Sequence, residues 1–327
     1  MLRFAVLGSG SSGNSAVVCH GATRVLIDAG LSARQLEQRL LALGIEPDSI
    51  QAVVLTHEHG DHVGGLDVFC RKRPLPVYGT RDTCTVVGEG LKSRVHWQKF
   101  EAGQAFTVGP LAFDSFSVPH DAVDPVGFVV SDPSSGNRVG ILSDVGQVTT
   151  LIRDRLKAID TLFVEANYDE TLLQNDTKRP WATKQRISSR HGHLSNDQAA
   201  ELIVSVATER LHRVVLGHLS RDCNTPEVAI RAIHGQLVKA GFADVHVECA
   251  CPKHPLPLRE AARHAPPPGA SPRLSEADGD ATPADASDDA SPRDEKAEAR
   301  PPRRSLRSAS PQPSESFPGW QQGEWAF

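Results

Sequence analysis

The densest chemistry in the chain lies in six residues, His57-Glu58-His59-Gly60-Asp61-His62, which follow the apolar run Val53-Val54-Leu55. Three imidazoles and the Asp61 carboxylate fall on a turn at the end of a strand-like segment. Imidazole and carboxylate donors suit zinc, manganese or iron. Thr56 and Gly60 allow the segment to curl, so that alternate side chains converge. One histidine in such a run would read as solvated surface, but four potential ligands at this spacing read as a metal site.

A second motif invites a different chemistry. Gly8, Gly10 and Gly13 spell G-x-G-x-x-G after the apolar run Phe4-Ala5-Val6-Leu7. A dinucleotide-binding glycine motif needs a helix starting at the glycines, with an acidic residue about 20 positions on. Here Ser15-Ala16-Val17-Val18-Cys19-His20 follows, then Gly21, then Arg24-Val25-Leu26-Ile27-Asp28. That is strand, turn, strand, and Asp28 comes too early to meet a ribose. The glycines are expected to form a tight loop between antiparallel strands, able to approach a substrate with its backbone amides.

The elements that must position these residues alternate along the first 260 residues. Strands are expected over 2–7, 15–20, 24–28, 52–56, 76–79, 105–109, 111–117, 126–131, 138–142, 161–165, 213–217 and 245–249. Helices are expected over 32–43, 64–71, 80–87, 147–157, 195–209 and 225–239. The first half is strand-rich with hairpins, and helices intervene after the strands at 24–28 and 52–56. The pattern suggests two mixed sheets with helices on their outer faces, an α+β fold of αββα sandwich type.

The chain has 327 residues and a net charge of −5, so no global basic field advertises nucleic-acid binding. Large aliphatic residues almost vanish beyond Pro266. Residues 1–262 are therefore read as the catalytic domain. Residues 263–327 are read as a disordered Pro/Ser/charged tail, unable to bury enough apolar area to offset its ordering entropy. No apolar stretch suits a membrane span or a secretory signal, and the six scattered cysteines fit a reducing compartment. A cytoplasmic protein is expected. Cys249 and Cys251 are too closely spaced for a usual zinc pair.

The H-x-H-x-D-H run resembles the hallmark of the metallo-β-lactamase superfamily, and the resemblance extends to its other stations. Asp28 in L-I-D-A-G resembles the acidic residue that braces the metal loop. His120 in V-P-H-D-A, Asp144 in S-D-V-G and His218 in G-H-L-S resemble the remaining ligands. The resemblance implies His57, His59 and His120 on one divalent ion, and Asp61, His62 and His218 on a second, with Asp144 bridging. Zn²⁺ and Mn²⁺ both suit such a set. Within the superfamily, S-G-S-S-G-N, V-E-A-N-Y-D, R-H-G-H-L-S-N and G-H-L-S-R-D-C-N resemble the YycJ/WalJ group of bacterial exonucleases. That group implies a DNA 5′→3′ exonuclease associated with repair. In the related RNase Z branch, a histidine in the position of His193 donates a proton.

A two-metal phosphodiesterase fits this reading. Asp61 would orient the attacking hydroxide, and His193 would protonate the leaving group, with Glu165 orienting His193 or positioning water. Lys178, Arg179, Lys184, Arg186 and Arg190, with Trp181 among them, suit the phosphates and bases of single-stranded nucleic acid. Ser220, Arg221 and Asn224 follow His218 and are candidates for phosphate contact. A small-molecule metallo-hydrolase, acting on a cyclic phosphodiester or a thioester, is the alternative. An RNase Z-like ribonuclease is less favoured, because neither a β-CASP-like insertion nor an RNase Z-type arm is visible. The C-terminal Gln322, Trp325 and Phe327 have the shape of peptides that dock on the bacterial sliding clamp.

Overall fold

The computed structural model describes residues 1–262. The tail boundary at 263 and the Gln322, Trp325 and Phe327 tip lie outside the described residues. The described part contains two seven-stranded sheets.

The first sheet joins β1 (Leu2–Gly8), β2 (Ser15–His20), β3 (Thr23–Ile27), β4 (Ala52–Val54), β5 (Pro76–Thr80) and β6 (His96–Phe100), with β14 (Arg259–Glu260) against β1. The second runs β7 (Ala105–Val108), β8 (Leu111–Ser117), β9 (Val126–Asp132), β10 (Asn137–Leu142), β11 (Thr161–Glu165), β12 (Arg213–Gly217) and β13 (His246–Cys249). Each sheet begins with antiparallel hairpins and continues as parallel strands: β3 to β6 in the first, β10 to β13 in the second.

Strand alternation explains the layering. Leu2, Phe4 and Val6 of β1 face Phe113, Phe128, Ile141 and Phe163 of the second sheet in a shared core. Their neighbours Ala5 and Leu7 point the other way, under α1 (Ala33–Ala42) and α3 (Leu66–Lys72). On the far side of the second sheet, Leu162, Val164, Val214 and Leu216 pack beneath α5 (Thr150–Arg155), α8 (Asn196–Val206) and α9 (Pro226–Lys239). This is the expected αββα sandwich.

The remaining helices are α2 (Gly60–Val63), α4 (Arg81–Gly90), α6 (Glu170–Asn175) and α7 (Trp181–Ile187). Sequence patterning missed α2, α6, α7, β6 and β14. It also extended β4 to residue 56. The strand in fact ends at Val54, and Thr56 turns to meet Asp28. Among the described residues, no helix is long and apolar enough to cross a membrane.

Candidate metal centre

The site lies at the C-terminal ends of the parallel strands, where open α/β sheets gather their ligands. Asp28 follows β3, the His57–His62 turn follows β4, and Asp144 follows β10. Glu165 ends β11 and His218 follows β12. Three of these residues adopt left-handed backbone: Asp28 at φ 58°, Asp144 at φ 52° and His218 at φ 52°. Asp and His tolerate that region better than most side chains. The sharp turn aims each side chain across the strand ends rather than onward along the sheet.

Asp28 braces the metal loop. Its Oδ1 accepts the Thr56 amide and its Oδ2 accepts the Thr56 hydroxyl, both at 2.8 Å. Oδ2 also lies 2.8 Å from His62 Nδ1. A proton held on Nδ1 leaves His62 Nε2 to face the centre.

His57, His59 and His120 form one group. His57 Nε2 and His120 Nε2 lie 3.2 Å and 3.3 Å from His59 Nδ1. The other ring nitrogen of His120 faces the Gly192 carbonyl at 3.1 Å, which orients Nε2 inward. Burial holds His57 well below the ordinary imidazole range, reinforced by His62, His59 and His120 and opposed by Asp144. Burial also lowers His120. Neutral imidazole is the ligating form.

The second group is richer in carboxylates. Asp144 approaches His62 Nε2 at 2.8 Å and His218 Nδ1 at 2.6 Å. Asp61 Oδ2 stands 3.7 Å from His62 Nε2 and 3.5 Å from His218 Nε2. Burial opposes charge on all of these groups, but opposite neighbours win. Asp144 and Asp61, with Asp28, raise His62 well above its usual value, and Asp144 does the same for His218. Those imidazoles hold Asp61 low and Asp144 very low. Asp144 stands within ligand range of His57 and His62 on one side and of Glu165, His193 and His218 on the other.

These residues fit divalent cations. Tetrahedral zinc, with Zn–N of about 2.0–2.1 Å, separates its ligand atoms by about 3.3 Å, the spacing found around His59. His218 Nδ1 is buried beside Asp144 yet makes no hydrogen bond. The ion-pair partners of Asp28, Asp61, Asp144 and Glu165 among the described residues are histidines. Buried carboxylates of this density need cationic compensation.

Glu165 and His193 form a dyad against this centre. Glu165 Oε1 accepts the Val145 and Leu194 amides, both at 2.9 Å, and Oε2 lies 3.0 Å from His193 Nδ1. The same His193 Nδ1 is 3.6 Å from Asp144. Burial opposes ionisation of Glu165, but His193 holds its pKa below the usual carboxylate value. Glu165 therefore orients His193 and pins the two loops that carry Asp144 and His193.

A family model described as the beta-lactamase superfamily domain matches residues 23–219. Exodeoxyribonuclease WalJ of Streptococcus pneumoniae is 33% identical over 269 residues, covering 79% of this chain and 97% of that protein. Exodeoxyribonuclease YycJ of Bacillus anthracis is 32% identical over 243 residues, covering 74% of this chain and 91% of that protein. The chain belongs to the metallo-β-lactamase superfamily and to its WalJ/YycJ group. It is a metal-dependent hydrolase. Among solved structures, the metallo-β-lactamase fold protein YhfI of Bacillus subtilis superimposes with a TM-score of 0.58 at 17% identity. That match covers 78% of this chain and 98% of YhfI.

In this metallo-β-lactamase-fold chain the glycine-rich loop has a role the sequence did not disclose. A β-carbon on Gly30 would stand 1.6 Å from the Asp61 carbonyl oxygen, and Gly13, at φ 142°, packs against Gly30. The amides of Gly10, Gly13 and Asn14 donate to Asn14 Oδ1, Gly10 O and Asp61 O. Those three amides are spent inside the protein, which corrects the expectation that they approach substrate. Asn14 and Ser9, the ends of the S-G-S-S-G-N motif to which the sequence assigned no role, contact the metal loop and the His218 backbone instead.

Several expected substrate contacts also need correction. Lys184 is buried and its Nζ donates to the Gln174 carbonyl at 2.8 Å, tying α7 to α6. Ser220 is buried and its hydroxyl accepts the Cys223 amide at 3.2 Å. Asn224 is buried, exchanges amide hydrogen bonds with Asn196 and donates to the Ala166 carbonyl at 2.8 Å. Arg179 is largely covered, between Asp176 and Asp222. Lys178 is exposed but pairs with Asp222 at 2.6 Å. Arg186 pairs with Asp121, the neighbour of His120, and so clamps α7 to the His120 loop. Arg190 and Arg221 are exposed, and Trp181, at the start of α7, is 62% exposed. Among the described residues, no cysteine joins a cluster with metal-ligand spacing.

Proposed function

We propose that the chain is a two-metal DNA exonuclease, acting 5′→3′ on single strands or ends and serving DNA repair. The observation that carries this reading is the His193–Glu165 dyad, held against a centre in which His57, His59 and His120 adjoin Asp61, His62, Asp144 and His218. The names borne by the WalJ and YycJ relatives support a DNA substrate.

Bound Zn²⁺ or Mn²⁺ ions would neutralise phosphoryl charge and make a proton easier to remove from water. Asp61 orients the attacking water. Its Oδ2 is engaged by Asn14 and the neighbouring imidazoles, and its side chain remains partly open to solvent. His193, with Nδ1 held by Glu165, presents Nε2 to protonate the departing oxygen. The exposed Arg190 and Arg221 supply positive charge for phosphates, and the exposed Trp181 ring offers a stacking face for a base.

Six unpaired cysteines suit a reducing, cytoplasmic setting. The Gln322–Trp325–Phe327 tip would recruit the enzyme to the sliding clamp, a role tested by clamp binding before and after deletion of residues 320–327.

The deciding experiment incubates end-labelled single-stranded DNA, duplex DNA and RNA with metal-loaded protein, beside Asp61→Ala purified identically. Laddering of DNA from the 5′ end, absent in the variant, is expected. Failure to cleave any polymer would overturn the nuclease reading.

A further inference from the structure

Ser9 and Asn14 are buried polar residues in the loop between β1 and β2. Their hydrogen bonds form one continuous path across the two sheets. The His218 amide donates to Ser9 Oγ at 2.8 Å. Ser9 Oγ donates to Asn14 Oδ1 at 3.0 Å, and the Gly10 amide donates to the same oxygen at 2.8 Å. Asn14 Nδ2 then donates to Asp61 Oδ2 at 3.0 Å and lies 3.0 Å from His62 Nε2.

The contacts to Asp61 and Gly10 orient the amide. Turned over, Asn14 would set its oxygen against the Asp61 carboxylate and its NH₂ against the Gly10 N–H, leaving two repulsive contacts. With the amide oriented, Asp61 is held by one oxygen. Oδ2 accepts from Asn14 and faces His62 and His218, whereas Oδ1 accepts no hydrogen bond from a described residue.

We propose that Ser9 and Asn14 are positioning residues, a relay that locks the Asp61 carboxylate through Oδ2 and so reserves Oδ1 for the attacking water. The inference rests on the proposed role of Asp61 in orienting that water. It also explains why His218 and Asp61, from opposite sheets, keep a common geometry. Ser9 couples the backbone of one to the side chain of the other. Groups that orient ligands from behind typically alter metal affinity or activity by about 10–100-fold when removed.

The test uses the full chain as wild type, Ser9→Ala, Ser9→Thr, Asn14→Ala and Asn14→Asp. Zinc titration of metal-stripped protein by calorimetry accompanies steady-state hydrolysis of bis(p-nitrophenyl) phosphate and thermal melts. Ser9→Ala and Asn14→Ala should lower kcat by about 10–100-fold with KM unchanged, and weaken one zinc-binding step while sparing the other. Ser9→Thr, which restores the hydroxyl, should recover both. Asn14→Asp, which sets one carboxylate against another, should be at least as impaired as Asn14→Ala. Wild-type zinc binding and turnover in Ser9→Ala and Asn14→Ala would overturn the relay. So would a Ser9→Thr protein as impaired as Ser9→Ala with an equal loss of thermal stability, because loop packing would then be the cause. If the wild type hydrolyses no diester, the phosphodiesterase reading fails and the zinc titration alone judges the relay.

Discussion

The two halves of the centre are built on opposite electrostatic plans. Around His59, imidazoles meet imidazoles, and burial drives His57 and His120 toward the neutral form. Around Asp144, imidazoles meet carboxylates, and the same burial is overcome, so that His62 and His218 are pushed up and Asp144 down. The first half offers ready lone pairs. The second is a neutralised salt cluster in which an incoming cation must displace protons from His62 and His218. Metal binding to the second half should therefore release more protons and depend more strongly on pH. Asp144 faces both halves, so the difference is one of surroundings rather than of separate sites.

The largest effect should come from the residue shared by both halves. Asp144→Asn should reduce hydrolysis more than replacement of any one histidine ligand and weaken both zinc-binding steps, whereas His57→Ala should disturb one step more than the other. Calorimetric titration distinguishes the two, and equal disturbance by both variants would collapse the comparison. Next, His193→Ala should lower kcat by about 10²–10⁴-fold, as expected for loss of a general acid, while metal content by mass spectrometry stays at the wild-type level. A loss of metal would instead make His193 a ligand, a role its 3.6 Å approach to Asp144 permits.

A smaller effect belongs to the rim. Trp181→Ala should raise KM for single-stranded DNA by an amount equivalent to about 1–3 kcal/mol of lost stacking, with kcat preserved. An unchanged KM would leave the ring as surface. The smallest effect lies away from the metal, at the β9–β10 turn. Burial opposes ionisation of Asp132, but hydrogen bonds from Ser134 and Ser135 and the nearby His20 lower its pKa to about 2. A depressed carboxylate stabilises the fold fully above its unfolded pKa, and that stabilisation is lost as pH falls from about 4 toward 2. Asp132→Asn should lower stability at neutral pH, and by less as the medium approaches pH 2, with hydrolysis at neutral pH unaltered. Urea melts across that range test the sign, and activity assays confirm that the turn and the metal centre are independent.

Much of this organisation was legible in the chain. His57 to His62 sit within one turn of backbone, so their types and spacing alone imply convergence. β-Branched runs ending in Asp28, Asp144 and His218 announced strand ends. Elements lacking a local apolar signature escaped. β6 is an edge strand with polar, half-exposed residues, and α6 and α7 are too short to show a repeated apolar face. Lys178 and Arg186 resembled free cations because their partners Asp222 and Asp121 are distant along the chain, whereas Lys184 and Arg179 are tied to the nearby Gln174 and Asp176 by the fold of α6 and the loop after it.

By itself the sequence determined the sandwich and the general class of chemistry and pointed to the His57–His62 cluster, because alternation, strand propensity and H-x-H-x-D-H spacing are properties of neighbouring residues. Only the tertiary structure decided which nitrogen of each histidine faces the centre, which cations remain exposed, and how Asp61 is held. Those outcomes depend on Asp28 meeting His62, Gly192 meeting His120, and Ser9 meeting His218. Each is a contact between remote segments, and a hydrogen bond of that kind acquires its direction only when packing has set both partners in place.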